Sequence, residues 1–342
     1  MKKYQILENL IRFDTVKDHD NAAIINYLEK TLSTMGFKTD HKSKNLIMSY
    51  GNSPTFGFLG HTDTVEYMGD WTTNPFKLTE KSGKLYGLGS CDMKSGIAAI
   101  IDAISATDLT KLTRGIKLYF TYDEEIGFSG IKELIKNQEK FPDFMVFGEP
   151  THNEIFIGSK GILCCKLNFK GKKTHSSNPE KGESANLNAV KFLSELETFY
   201  LEKIKTKLNE NYDIPYTTMN LALLQGGSAI NSIPVNCQAS LEFRPTDSDH
   251  AKTLITKINE LCEKYHCQST IVDNIAPFIN ASPGAHKAAD FITEASFVNS
   301  KNKIILGAGP VTAHETNEHI DSKSYDKLVK QYMDLIQTHC SN

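Results

Sequence analysis

The sequence predicts an α/β chain: a layered-sheet domain built from both ends, with a smaller β-α-β-β-α-β unit inserted between them. Three observations predict it. Short apolar runs alternate with helical periodicity as far as residue 150, the pattern of helices laid on a largely parallel sheet. Three of those runs end on chemistry-bearing residues, at His61, at Asp123-Glu124-Glu125 and at Glu149. After Gly158 the pattern changes to strand, helix, strand, strand, helix, strand, the order of the ferredoxin-like split motif. The expected division is 1–160 with 273–342 as one discontinuous domain, and 161–272 as the inserted one.

Each element follows from its residues. Stretches 4–12 and 22–35 have a helical period, with Ile24, Ile25, Leu28 and Leu32 on one stripe and Gly36 as a stop. Strands are expected at 45–50 and 55–60. Residues 94–106 form a small-residue helix apolar nearly all round, which needs burial against a sheet. The strand 115–122 delivers Asp123-Glu124-Glu125 at its carboxyl end, a helix occupies 128–138, and the strand 144–147 delivers Glu149-Pro150-Thr151. In open sheets of this kind ligands gather at the carboxyl ends of strands. Within the insertion, strands fall at 162–170, 218–225, 235–243 and 268–272. Its helices fall at 183–200, opened by Ser184, and at 247–265, with 201–216 a polar surface connection. A last strand at 303–308 precedes a closing helix at 322–338, with Tyr325, Leu328, Val329, Tyr332 and Leu335 facing inward.

Composition narrows the class. A net charge of −3 over 342 residues, with no basic block, argues against nucleic acid as a partner. No run approaches the roughly 18 apolar residues of a membrane span, and the N-terminus lacks a signal peptide's apolar core. Seven cysteines without framework spacing point to reduced, buried thiols and a cytoplasmic setting. Cys262 and Cys267 lack the second pair that would complete a zinc site.

The candidate chemistry rests on His61, Asp92, Glu125, Glu149 and His314, all at strand ends or in adjoining loops. In His61-Thr62-Asp63 the period of two puts both polar side chains on one face, so Asp63 can engage one ring nitrogen and leave the other for a metal. Three carboxylates and two imidazoles suit two divalent cations better than one, because a single Asp can bridge the pair with its two oxygens. Two such cations acidify a water and polarise an amide carbonyl. On an extended segment, Glu124 and Glu125 point opposite ways, one toward the metal and the other into the cleft as general base. Alone, Asp123-Glu124-Glu125 would read as a solvated acidic turn.

These residues sit in five ordered motifs: Gly60-His61-Thr62-Asp63-Thr64-Val65, Gly87-Leu88-Gly89-Ser90-Cys91-Asp92-Met93-Lys94, Tyr122-Asp123-Glu124-Glu125-Ile126-Gly127, Gly148-Glu149-Pro150-Thr151 and Ala313-His314. With the insertion between the fourth and fifth, the chain resembles, along nearly its whole length, the dinuclear zinc aminoacylase/carboxypeptidase family. That family includes acetylornithine deacetylase, succinyl-diaminopimelate desuccinylase and several di- and tripeptidases. The resemblance implies a metallopeptidase-type α/β/α catalytic domain and two divalent ions, zinc by default with cobalt or manganese as substitutes. It implies that Asp92 bridges them, that His61 and Glu149 complete one site, and that Glu125 and His314 complete the other. It further implies Glu124 as general acid/base, Asp63 as the partner of His61, and a cis peptide at Asp92-Met93.

The resemblance also makes the insertion a lid and dimerisation domain. Gly171-Lys172-Lys173-Thr174-His175-Ser176-Ser177 is similar to the segment whose His stabilises the tetrahedral oxyanion in a neighbouring subunit, so His175 takes that role. Arg244 has the planar fork suited to a substrate carboxylate, and Asn231 is expected to hydrogen-bond the substrate or the intermediate. The Gly307-Ala308-Gly309-Pro310 loop offers backbone N–H groups, Gly309 among them, to the same carboxylate. Trp71 is placed either at the site entrance or simply in packing. His19, His41, His152, His250, His266, His286, His319 and His339 are read as structural or surface residues. The expected partner is a small N-acyl amino acid, with N-acetylornithine first. Succinyl-diaminopimelate, other N-acyl amino acids and peptides remain open, as does a non-catalytic metal-binding role.

Overall fold

Apolar strands Pro54–His61, Gly115–Thr121 and Phe144–Phe147 lie side by side in a computed structural model of the chain, which describes residues 2–16, 20–280 and 287–341. His19 and His286 fall outside the described residues. The chain divides into two units, 1–157 with 293–342 and 158–292.

In the first unit the strand order is Lys38–Lys42, Asn45–Tyr50, Gly115–Thr121, Pro54–His61, Phe144–Phe147, Asn302–Ile305. The last four run parallel to one another, so their carboxyl ends share one edge. Alternation along a strand separates the faces. Phe56, Phe58, Leu118, Phe120 and Val146 join one large apolar cluster with the helices Ala22–Ser33, Lys94–Ala106 and Ser322–Cys340. Tyr119, Met145 and Phe147 are buried outside that cluster. The helix Lys94–Ala106 is buried almost all round, as its composition requires. Close approach explains Gly96 within it: a Cβ there would sit 2.4 Å from the carbonyl oxygen of Gly148. On the closing helix, Ser322–Cys340, Tyr325, Leu328 and Tyr332 are buried, and Tyr332 meets Phe58 edge-on at 5.6 Å. Val329 and Leu335 are only partly buried.

The second unit holds a four-stranded antiparallel sheet in the order Thr218–Gly226, Asn236–Arg244, Ile162–Lys170, Cys267–Ile275. Helices Ala185–Phe199 and Ser248–Lys264 contribute Phe192, Leu196, Leu254 and Ile258 to its core. Ser184 caps the first, accepting the N–H of Leu187. The connection read as polar and solvated begins as a further helical turn, Tyr200–Ile204, and buries Ile204 and Tyr212. The division falls at 158 and 292 rather than 161 and 272 because Gly158 and Ser159 pair with Ile279 and Phe278. Among the described residues, no helix is long and apolar enough to cross a membrane.

Candidate metal centre

His61 ends the strand Pro54–His61 and is 1% exposed. Its Nδ1 lies 3.0 Å from the main-chain carbonyl of Asp63. A carbonyl only accepts, so Nδ1 carries the proton and Nε2 is left as the free donor for a metal. The Asp63 carboxylate stands further off, Oδ1 at 3.6 Å from the same ring nitrogen, so the shorter contact to His61 is made by the backbone. Asp63 Oδ2 instead accepts the N–H of Glu125 at 3.1 Å.

His61 Nε2 faces Asp92 Oδ1 at 3.1 Å and Glu149 Oε1 at 3.9 Å. On the other side, Asp92 Oδ2 lies 3.5 Å from His314 Nε2, which is 3.1 Å from Glu125 Oε2. Two imidazoles thus address opposite oxygens of one carboxylate. Ligand bonds of about 2.0–2.2 Å in a tetrahedral site separate neighbouring donors by roughly 3.3 Å, so these spacings fit divalent cations. The donor atoms of His61, Asp92 and Glu125 lie within 4.8 Å of one another.

Local structure explains each placement. Asp92 ends a loop turned by Gly89 at φ 76°, and the Asp92-Met93 peptide is cis. Glu149 follows the strand Phe144–Phe147 and is 6% exposed. His314 is exposed, on a loop with φ 63°. Glu124 and Glu125 do not lie on an extended segment. Asp123, at φ 54°, turns the chain into a single helical turn, Glu124–Gly127, so the two side chains diverge by roughly 100° rather than 180°.

The electrostatics are those of a crowded anionic pocket. Burial, with the nearby Asp92 carboxylate, drives the Glu149 carboxyl well above its usual range. Burial does the same to Glu124, with Glu125, Glu294 and Asp92 adding repulsion. Glu125 is raised by burial and by Asp92, against the pull of His314. Burial opposes ionisation of Asp92, yet the His314 and His61 contacts hold it below the usual carboxylate range. Asp92 and Glu125 raise His314 to about 10. Burial works against protonation of His61, but Asp63 and Asp92 keep it well above the ordinary value. Protons are held here where cations would balance the same charge.

Two acids without a sequence signal belong to the surroundings. Glu318, in the polar run Asn317-Glu318-His319, is 3% exposed and accepts N–H groups of the Asp92 loop. Burial pushes its carboxyl up to about 8 against those donors. Glu294 is 1% exposed; its Oε2 accepts Thr121 Oγ1–H at 2.8 Å, while Oε1 has no hydrogen-bond partner among the described residues. Burial raises it to about 8. Neither lies on an apolar period that sequence reading follows.

The remaining candidates divide between the units. Gly309 does not offer a free N–H: it donates to Ser324 Oγ at 2.8 Å, and the N–H of Gly307 goes to Thr151 Oγ1 at 3.1 Å. The loop therefore has no donor at either glycine for a substrate carboxylate. In the second unit, His175 is exposed with Nδ1 2.8 Å from Ser177 Oγ. A bridge between His175 and Ser232, and the Ser176 N–H on the Asn231 carbonyl, bring His175 and Asn231 onto adjacent segments. Arg244 ends the strand Asn236–Arg244, its Nε donating to Glu242 Oε1 at 2.8 Å. Of the histidines set aside, His250 is buried against Thr217 and His339 stacks on Phe144. His319 packs on the Tyr86 ring. Trp71 is partly buried, and its Nε1 has no hydrogen-bond partner among the described residues.

The profile of peptidase family M20/M25/M40 matches residues 57–338. Acetylornithine deacetylase of Pasteurella multocida is 32% identical over 363 residues, covering 95% of this chain and 93% of the relative. The enzyme of the same name from Yersinia pseudotuberculosis is 33% identical, covering 96% and 93%. In fold, the chain is similar to a tripeptidase from Staphylococcus aureus, with a TM-score of 0.81 at 22% identity over 97% of this chain and 96% of that one. It is equally similar to an M20 metallo-carboxypeptidase from Sulfolobus solfataricus, with a TM-score of 0.81 at 18% identity over 99% of both chains. The chain belongs to peptidase family M20/M25/M40.

Proposed function

We propose that this protein removes the acyl group from an N-acyl-α-amino acid, N-acetylornithine first among them, releasing the free amino acid and a carboxylate. The chain is a metal-dependent hydrolase acting on amide bonds. The choice of N-acetylornithine is supported by the acetylornithine deacetylases aligned with almost its full length. One observation carries the chemistry. His61 and His314 approach opposite oxygens of Asp92, the arrangement of a carboxylate shared by two cations.

In this reading Asp92 would serve both ions, His61 and Glu149 would hold one, and Glu125 and His314 would hold the other. Zinc is the default, with cobalt or manganese as substitutes. When bound, the ions would lower the pKa of the attacking water and polarise the scissile carbonyl. Glu124 acts as the base, accepting the water's proton and passing it to the departing nitrogen. Asp63 braces both His61 and Glu125. From the inserted unit, acting as lid and dimer contact, His175 donates to the developing oxyanion. Arg244 clamps the substrate carboxylate, and Asn231 hydrogen-bonds beside His175. The setting is cytoplasmic.

The test is amine release from N-acetylornithine, N-succinyl-diaminopimelate, other N-acetyl amino acids and dipeptides, with zinc or cobalt supplied. Preference for N-acetylornithine supports the full proposal. Preference for another panel member keeps the mechanism and replaces the substrate. Full metal loading with no turnover on any of them favours a binding role.

A further inference from the structure

Glu318 stands four residues past His314, yet its side chain is turned wholly toward a different loop. Its carboxylate accepts three main-chain N–H groups: Gly89 on Oε2 at 2.7 Å, and Cys91 and Asp92 on Oε1 at 2.7 and 2.9 Å. Its own carbonyl takes a fourth, from Gly87 at 3.1 Å. The strand that follows, His319–Asp321, pairs with Lys84–Tyr86 just ahead of the same loop. The contacts thus run along the whole approach to Asp92, including the N–H of Asp92 itself.

We infer that Glu318 is the positioning residue for Asp92, and that it joins the loop bearing Asp92 to the segment bearing His314 in one frame. The inference rests on the reading of Asp92 as the shared metal ligand. Two ions can use one carboxylate only if both its oxygens are presented at fixed angles. A side chain reaches that precision when its backbone is held. Three N–H groups converge on the two oxygens of Glu318, both of which can accept, whereas a carboxamide replaces one of those oxygens with an NH₂ donor. Glutamine at 318 would set an NH₂ group against at least one backbone N–H and tilt the loop. Aspartate keeps the charge but withdraws the oxygens by one methylene. Removing such outer partners of metal ligands typically weakens metal binding by about 10–100-fold.

The experiment measures zinc affinity by chelator competition for the wild-type protein, Glu318→Gln and Glu318→Asp, alongside thermal unfolding of each metal-free protein. The expected result is a cooperatively folded metal-free E318Q whose zinc affinity is lower by about 10-fold or more. Wild-type affinity in a folded E318Q or E318D overturns the assignment. Failure of both variants to fold without metal also overturns it, because Glu318 would then hold the fold rather than aim Asp92. If the wild-type chain itself takes up no divalent ion, the reading of Asp92 as a ligand fails. Wild-type binding with unchanged E318Q binding removes only the role of Glu318.

Discussion

The Asp63 carboxylate accepts the main-chain N–H of Glu125 at 3.1 Å. That contact ties the turn after the strand Pro54–His61 to the short helix after Gly115–Thr121. The same carboxylate lies 3.6 Å from His61 Nδ1, so one side chain supports a proposed ligand of each ion. Replacing Asp63 with Asn is expected to weaken metal binding about 10–100-fold, with the first and the second ion both affected. Stoichiometric titration of the metal-free protein reads this out. Loss confined to one ion would assign Asp63 to His61 or Glu125 alone.

Glu124→Gln is expected to keep full metal content while kcat falls by roughly 10²–10⁴-fold. The amide preserves size and removes the proton acceptor. Metal analysis and turnover on the same sample decide it, and near-normal kcat would take Glu124 out of the mechanism.

Metal-free protein is expected to lose stability as pH rises. Glu124, Glu125 and Glu149 hold protons above their usual value near 4.5, and His314 up to about 10. Groups raised on folding contribute stability below the unfolded value and lose it as pH climbs through the folded one. The window therefore opens near 4.5 with the glutamates and closes near 10 with His314. Asp92, held low, acts oppositely only at acid pH. Divalent ions replace those protons, so the melting-temperature gain from added zinc should be larger at pH 8 than at pH 6, within that window. A gain that shrinks with rising pH would contradict the charge balance described for the site.

Gly96→Ala sets two effects against each other. Helix propensity favours alanine by up to about 1 kcal/mol. The added Cβ, however, meets the Gly148 carbonyl oxygen at 2.4 Å, and forced overpacking costs about 1–3 kcal/mol. Net destabilisation is expected, along with a shift of the segment bearing Glu149. Urea denaturation measures the first, and a more stable variant would show that helix and loop part freely.

His175→Ala and Glu124→Gln subunits, each inactive, are expected to recover activity when mixed and allowed to exchange. A hybrid in which His175 acts across the dimer has one site with both residues intact. Absence of recovery in a verified hybrid dimer would place His175 in its own subunit's site.

Much of this was legible beforehand because the parallel strands are apolar runs that stop on polar residues. Phe56 to His61 and Phe144 to Phe147 could be read directly, and so could the convergence of His61, Glu125 and Glu149 at one sheet edge. What escaped depended on single backbone torsions or on contacts between distant polar residues. Asp123 at positive φ turned an expected extended segment into helix. His61 Nδ1 donates its shorter hydrogen bond to the Asp63 carbonyl, a group that every residue has and no motif marks. Glu318 looks like any surface acid until the fold brings the Asp92 loop to it. The Gly309 N–H, free by sequence, is taken by Ser324 Oγ, which only the fold brings to it.

The strand order has a consequence for how the chain is made. Phe144–Phe147 takes as its parallel neighbour Asn302–Ile305, from beyond the second unit. During synthesis from the N-terminus, four of the five proposed ligands leave the ribosome early, while that sheet edge still lacks its next strand. The entropic cost of closing so long a loop grows only with the logarithm of its length, but such distant pairings form slowly. His314 arrives after that strand, so the nascent protein would lack the last of its proposed ligands until the whole of the second unit had been made.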